Sequence, residues 1–292
     1  MLLAAVPGAA TQPPALSDAD TLKLVMQDTR MTVPVRIGAA GPWPFVIDTG
    51  AQRTVISREL ANVLKLASGP DVALVAMTGT SRVPTALIPS LSVSVVGGEQ
   101  IAAPALAARD LGALGLLGID TLQGHKVSID FTAQTMALSP SARRARRSEA
   151  RSPDEVVVRA RDYLGQLVVT DARYRGHQVS IVLDTGSPVS IGNAALRRLA
   201  GRSTLTPIAM TSVTGQQLHA DYTQIGEVEL GGLRILNLPV AFADAAPFRQ
   251  FKLVKRPALL LGMDALGLFT RVDIDFPNRE LRLMRPRNPS RF

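Results

Sequence analysis

Two aspartates, Asp48 and Asp184, each open an Asp-Thr-Gly triplet, and each triplet follows a short apolar run (Phe45, Val46, Ile47; Ile181, Val182, Leu183). The chemistry such a pair can do is specific. Two carboxylates held close together cannot both ionise easily, so they share one proton near neutral or acid pH. The ionised member can take a proton from a water between them while the protonated member hydrogen-bonds a substrate carbonyl. Water then attacks a polarised amide without a metal or a covalent intermediate. Gly50 and Gly186 are expected to let the backbone turn tightly after each aspartate and to aim N–H groups at the carboxylates.

Other chemistries lack their parts. His125, His177 and His219 are isolated, and no His-Glu-x-x-His or Gly-x-Ser-x-Gly occurs, which leaves zinc-protease and serine-hydrolase readings unsupported. With no Cys there is no thiol nucleophile, Cys-ligated metal or disulfide framework. No cofactor and no metal is expected. The Gly-rich stretch Leu111–Gly118 has the wrong spacing for a nucleotide loop. The net charge of +8 comes from Arg residues spread along the chain, which reads as a basic surface with no nucleic-acid partner.

The elements that position the two aspartates come as a repeat. Pro44–Ser57 (PFVIDTGAQRTVIS) matches Ser180–Gly192 (SIVLDTGSPVSIG), and Val75–Val83 matches Thr211–Leu218, both at an offset of 136 positions. Leu116–Leu122 (LLGIDTL) then matches Leu260–Leu266 (LLGMDAL), and Val127–Phe131 (VSIDF) matches Val272–Phe276 (VDIDF), at offsets of 144 and 145. A loop insertion in the second copy accounts for the change. Within each copy the pattern predicts strand, Asp-Thr-Gly turn, strand, a short helix near Arg58–Leu66 or Ala194–Gly201, a hairpin, further strands and the Leu-Leu-Gly loop. The hairpin tips Thr78-Gly79 and Thr214-Gly215 carry the glycine that a turn with positive φ favours.

These boundaries divide the chain into a leader or disordered segment at 1–28, an N-terminal lobe at 29–140, an Arg-rich linker at 141–155 and a C-terminal lobe at 156–292. Many Gly and Pro residues among short Val, Ile and Leu runs point to a mainly β protein with few short helices. Met1–Ala10 (MLLAAVPGAA) has Gly8 and Ala10 at the spacing of a leader-peptidase cut, so export to the periplasm or outside the cell is expected. No other apolar run is long enough to span a bilayer, and no stable membrane insertion is expected.

At the paired Asp-Thr-Gly and Leu-Leu-Gly motifs the chain resembles the retropepsin and pepsin group of aspartic proteases, and most of all bacterial retropepsin-like proteins with tandem lobes. The resemblance implies two homologous β-barrel lobes, closed or partly open, related by a pseudo-two-fold axis, in a monomer that acts as its own dimer. It implies an aspartic endopeptidase acting on polypeptides, with Asp48 and Asp184 as the dyad and Thr49 and Thr185 as a crossed hydrogen-bond pair. Gly50 and Gly186 become turn residues beside Ala51 and Ser187, and the segments around Thr78, Gly79, Thr214 and Gly215 become two flaps. Leu117-Gly118 and Leu261-Gly262 then support the active-site loops. A silent member of the group, using the inter-lobe cleft to bind peptides or as a scaffold, is the alternative.

Three features depart from the group. Ile119 and Met263 stand where many viral members have Arg, and neither flap tip has the Tyr of a pepsin flap. Ala51 and Ser187 occupy equivalent places, and a Ser there is expected to donate to the outer oxygen of its own aspartate, making Asp184 the more readily ionised partner. Asp120 and Asp264 read as helix caps, and Asp130 and Asp275 as surface or ion-paired residues.

Overall fold

The computed structural model describes residues 21–23, 25–27, 30–94, 96–142, 154–201 and 204–286. The protein is mainly β, with two retropepsin-like lobes in tandem and a few short helices. Three sheets build it: eight strands in the first lobe, ten in the second, and six that both lobes share. Among the described residues no helix is long and apolar enough to cross a membrane.

The same crossing of strands recurs at the heart of each lobe. The strand Ala40–Ile47 runs into the first Asp-Thr-Gly, and Val55–Ser57 leaves it. Between these two arms lies Gly115–Leu117, parallel to the first (Val46 opposite Leu116) and antiparallel to the second (Val55 opposite Leu116). In the second lobe Ala258–Leu261 lies between His177–Leu183 and Ile191–Gly192 with the same directions, Val182 opposite Leu260 and Ile191 opposite Leu260. Strands flanked on both sides and covered on both faces read as continuous apolar runs, and Val46, Leu116, Leu117, Val182, Leu260 and Leu261 are all buried. The two short helices form as expected, over Arg58–Val63 and Ala194–Ala200. Ser57 Oγ accepts the Leu60 N–H of the first and Asn193 Oδ1 the Leu196 N–H of the second.

The shared sheet places the pseudo-two-fold axis. His125–Asp130 pairs antiparallel with Arg271–Asp275, Lys126 opposite Asp275, Ser128 opposite Asp273 and Asp130 opposite Arg271. Each partner is thus the equivalent, 145 positions on, of a residue across the pair, and the axis passes between Ser128 and Asp273. The sheet extends symmetrically on each side, through Thr135–Pro140 to Thr21–Lys23 and through Glu280–Met284 to Glu155–Arg159. Val127, Ile129, Val272, Ile274, Leu281 and Leu283 point from it into one core that runs through both lobes. Burial of that apolar surface holds the halves together.

One boundary moves. Thr21–Lys23 and Val25–Gln27 are strands, so part of the segment 1–28 belongs to the fold as edge strands, too short to stand out by alternation. The expected leader at Met1–Ala10 and the arginines 143–151 lie outside the described residues. Asp275 is not a surface or ion-paired group. It is buried and accepts hydrogen bonds from Ser141 Oγ (2.9 Å) and from the Asn278 N–H (3.1 Å) and Nδ2 (3.0 Å), fastening the end of the first lobe to the last hairpin of the second.

Candidate active site

Both Asp-Thr-Gly loops meet on the pseudo-two-fold axis. Thr49 Oγ1 donates to the Leu183 carbonyl (3.1 Å) and accepts the Thr185 N–H (3.1 Å). Thr185 Oγ1 donates to the Ile47 carbonyl (2.7 Å) and accepts the Thr49 N–H (3.1 Å). Each threonine therefore satisfies the backbone of the opposite lobe, and both are buried. Removing either hydroxyl would orphan a buried donor and a buried acceptor.

This crossed pair brings the two carboxylates onto opposite loops. A Cβ added to Gly186 would lie 2.2 Å from Asp48 Cγ and 2.4 Å from its Oδ2, and one added to Gly50 would lie 2.6 Å from Asp184 Oδ1. Neither glycine has a positive φ. The tight-turn reason for them is thus replaced by another: only a residue without Cβ leaves room for the carboxylate of the other lobe. Asp48 Oδ1 accepts the N–H groups of Gly50 (2.8 Å) and Ala51 (2.9 Å), and Asp184 Oδ1 accepts the N–H of Ser187 (3.1 Å). Asp184 is 5 % exposed, whereas Asp48 is only half-buried.

The Ser187 hydroxyl does not serve Asp184. It donates to the Val189 carbonyl, two residues on, at 2.8 Å. The expectation that Ser187 makes Asp184 the more easily ionised partner therefore fails.

Leu117-Gly118 and Leu261-Gly262 underpin the loops as expected. Asp48 N–H donates to the Leu117 carbonyl (2.9 Å) and Asp184 N–H to the Leu261 carbonyl (3.0 Å), while Ile119 and Met263 N–H reach the carbonyls of Ala51 and Ser187 (both 2.9 Å). Asp120 and Asp264 are structural but do not cap; the N-cap positions belong to Gly118 and Gly262, without a side-chain bond. Asp120 Oδ1 accepts the N–H and the hydroxyl of Thr54 (both 2.8 Å), and Asp264 Oδ1 those of Ser190 (3.0 and 2.6 Å). The same hydroxyls accept the N–H of Gly118 (3.1 Å) and Gly262 (3.0 Å). Each lobe thus fixes its catalytic-loop candidate with an Asp–Thr or Asp–Ser clasp where an arginine ion pair was absent. Burial pushes the Asp264 carboxyl up, against the lowering effect of its bonds to Ser190, and its Oδ2 is buried without a partner among the described residues.

Above the aspartates lies a cavity of about 570 Å³, lined by both lobes and by two hairpins. The hairpins, Ser68–Ala76 with Gly79–Val93 and Thr206–Thr211 with Gln217–Ile225, turn at Gly79 (φ +152°) and Gly215 (φ +82°). Their tips reach the opposite lobe: Thr78 Oγ1 donates to Gln216 Oε1 (2.6 Å), the Ala246 N–H donates to the Met77 carbonyl (2.8 Å), and Gly215 packs on the Asp110 carboxylate. Thr78, Gly79, Thr214 and Gly215 consequently stand outside the cavity wall. The residues facing it are Ala73–Met77 and Ala209–Val213, one step back along each hairpin.

Gln166 was not singled out by its sequence. It opens the strand Gln166–Tyr174, is 2 % exposed, lines the cavity and donates from Nε2 to the Gly50 carbonyl. A polar residue at the head of a four-residue buried run is the one local sign of it. His177 and His219 are exposed and His125 half-buried, and among the described residues no group of three His, Cys, Asp or Glu side chains could hold a metal.

Residues 33–124 match the family model of gag-polyprotein aspartyl proteases, and residues 170–265 match a second aspartyl protease family model. Comparison with curated proteins returns no match. Each match spans one Asp-Thr-Gly, one hairpin and one Leu-Leu-Gly strand, so with two such domains in tandem the chain belongs to the retropepsin-like aspartic protease family.

Proposed function

We propose that the protein is an aspartic endopeptidase in which Asp48 and Asp184 together activate water for attack on a peptide bond. The observation that carries this reading is the reciprocal seat of the two carboxylates, each against the glycine of the other loop, beneath a cavity wide enough for an extended peptide. Like charges so placed favour one shared proton. The ionised carboxylate takes a proton from water as its oxygen bonds to the carbonyl carbon, and the neutral one gives its proton to the carbonyl oxygen. In the collapse of the tetrahedral diol, the carboxyl that took the water's proton gives it to the nitrogen, a hydroxyl proton passes to the other carboxylate, and the C–N bond breaks, so that the amine leaves neutral and the pair again holds one proton.

The substrate is a polypeptide with apolar side chains beside the cleaved bond. Leu74, Leu106, Val182, Met210, Val213 and Phe251 line the cavity, and such walls favour apolar groups by removing them from water. One chain supplies both aspartates, so the protein acts as a monomer. Export to the periplasm or beyond is proposed from the apolar, small-residue start of the sequence alone.

The deciding experiment incubates the purified chain with unfolded casein from acid to neutral pH, with and without pepstatin, beside Asp48→Asn and Asp184→Asn. Cleavage by the wild type that either substitution abolishes supports the reading. Absence of cleavage at every pH, or full activity in either variant, overturns it.

A further inference from the structure

We infer that Gln166 is a positioning residue that makes Asp48 the ionised member of the pair, an inference that rests on the aspartic protease reading above. Gln166 belongs to the second lobe, yet its amide is spent on the first. The hairpin formed by Arg161–Tyr163 and Gln166–Tyr174 turns at Leu164 (φ +57°) and Gly165 (φ +86°), and its tip lies on the first Asp-Thr-Gly loop. Gln52 Nε2 donates to the Leu164 carbonyl (3.3 Å), and a Cβ added to Gly165 would meet Ile119 Cγ2 at 3.3 Å. Gln166 Nε2 donates to the Gly50 carbonyl.

The Gly50 carbonyl and the Ala51 N–H are two ends of one planar peptide unit. Ala51 N–H is one of the two donors to Asp48 Oδ1, at 2.9 Å. A donor on the carbonyl end polarises the unit and strengthens the N–H end, as chains of hydrogen bonds do in a poorly solvated site. Gln166 therefore acts on Asp48 through the backbone: amide to carbonyl, N–H to carboxylate. It also fixes Gly50, whose own N–H is the other donor (2.8 Å) and whose α-carbon forms the seat of the Asp184 carboxylate. Bonds to the charged form lower a carboxyl pKa and burial raises it. Asp48 accepts two N–H groups that favour its charged form and is half-buried, while Asp184 is 5 % exposed and burial disfavours a charge there, so the negative charge falls on Asp48.

The other end of the amide fits this role. Gln166 Oε1 is buried and has no partner among the described residues. Turning the amide over would set its oxygen against the Gly50 carbonyl, so the Gly50 bond dictates the orientation.

The experiment measures kcat/KM against pH for the wild type, Gln166→Met and Gln166→Glu on one peptide substrate, with thermal melting to confirm folding. Gln166→Met keeps the bulk and loses the donor. Its acid limb should move up by about half a pH unit, with kcat falling and KM little changed. Gln166→Glu can donate only while protonated, so it should keep most of the activity in acid and lose it as the pH rises. If folded Gln166→Met loses activity equally at every pH, or keeps the wild-type profile, the residue merely packs and the inference falls while the protease reading stands. Glutamate activity that tracks the wild-type profile across the whole range would overturn it as well. A wild type that cleaves nothing would remove both.

Discussion

The Asp48 carboxylate rests on the α-carbon of Gly186, so close that an added Cβ would sit 2.2 Å from its Cγ, and Asp184 rests likewise on Gly50, at 2.7 Å. Each lobe supplies both a carboxylate and the floor on which the other carboxylate lies. Because neither glycine needs a positive φ, alanine is acceptable to the backbone here and intolerable only to the opposing acid. Gly186→Ala and Gly50→Ala should each lower kcat/KM by about a hundredfold or more, the usual cost of an ångström-scale displacement of a reacting group. The melting profile should show a loss of about 1–3 kcal/mol from overpacking. Activity within a fewfold of wild type would mean that the carboxylates do not need these seats.

Much of this arrangement was legible because the chain says it twice. The strands beside each Asp-Thr-Gly are continuous apolar runs, and the same order of motifs at an offset of 136 implies one architecture in duplicate. The interlobe sheet was not read from the repeat: VSIDF and VDIDF are equivalent landmarks, and only the structure shows them paired with each other across the axis. Contacts between distant, unpatterned residues were not legible. Asp264 reaches Ser190 across 74 positions and Gln166 reaches Gly50 across 116, and neither link leaves a periodic trace. Ser187 misled for a different reason: its type allows a bond to Asp184, but its hydroxyl donates to the Val189 carbonyl instead. Residue type bounds what a side chain can donate to, and local backbone geometry chooses among the acceptors.

That choice makes Ser187 a mechanistically quiet position. Ser187→Ala removes a hydroxyl bonded to a backbone carbonyl and leaves the Ser187 N–H on Asp184 Oδ1 in place. The acid limb of the pH–rate profile should coincide with that of the wild type, and stability should fall by about 1 kcal/mol, the worth of one neutral hydrogen bond. A clear upward shift of the limb would instead return Ser187 to the electrostatics of the pair.

Asp264 should make the second lobe more stable in acid. Its carboxyl titrates above the ordinary aspartate range because burial penalises the charge more than Ser190 and the nearby N–H groups favour it. A raised folded-state value means that the folded chain holds the proton more tightly than the unfolded one. The contribution is complete below the unfolded value and is lost as pH rises through the folded one. Asp264→Asn keeps an oxygen for the Ser190 hydroxyl and carries no charge at any pH. The difference in melting temperature, variant minus wild type, should therefore be more favourable to the variant at neutral pH than in acid. Equal differences at both would show that the Asp264 charge is compensated in the folded state.

The hairpin tips set the last expectation, which concerns rates. Thr78 Oγ1 and Gln216 Oε1 join the two tips at 2.6 Å, in an exposed position over the cavity, and the Met77 carbonyl is separately held by the Ala246 N–H. On the protease reading, a peptide passing beneath the hairpins parts their tips, so the Thr78–Gln216 bond breaks on entry and reforms over the bound chain. Gln216→Ala removes it from both closed states, free and occupied, and from neither open one. Entry and exit should then accelerate by a similar factor, while the equilibrium constant stays near its wild-type value. An exposed neutral hydrogen bond worth about 1 kcal/mol corresponds to roughly fivefold in each rate. Stopped-flow binding of a fluorescent peptide to the Asp48→Asn background, with and without Gln216→Ala, separates the two constants. A change in the dissociation rate alone would show that the contact tightens only over the bound peptide, and no change in either rate would mean that the Ala246–Met77 bond governs opening by itself.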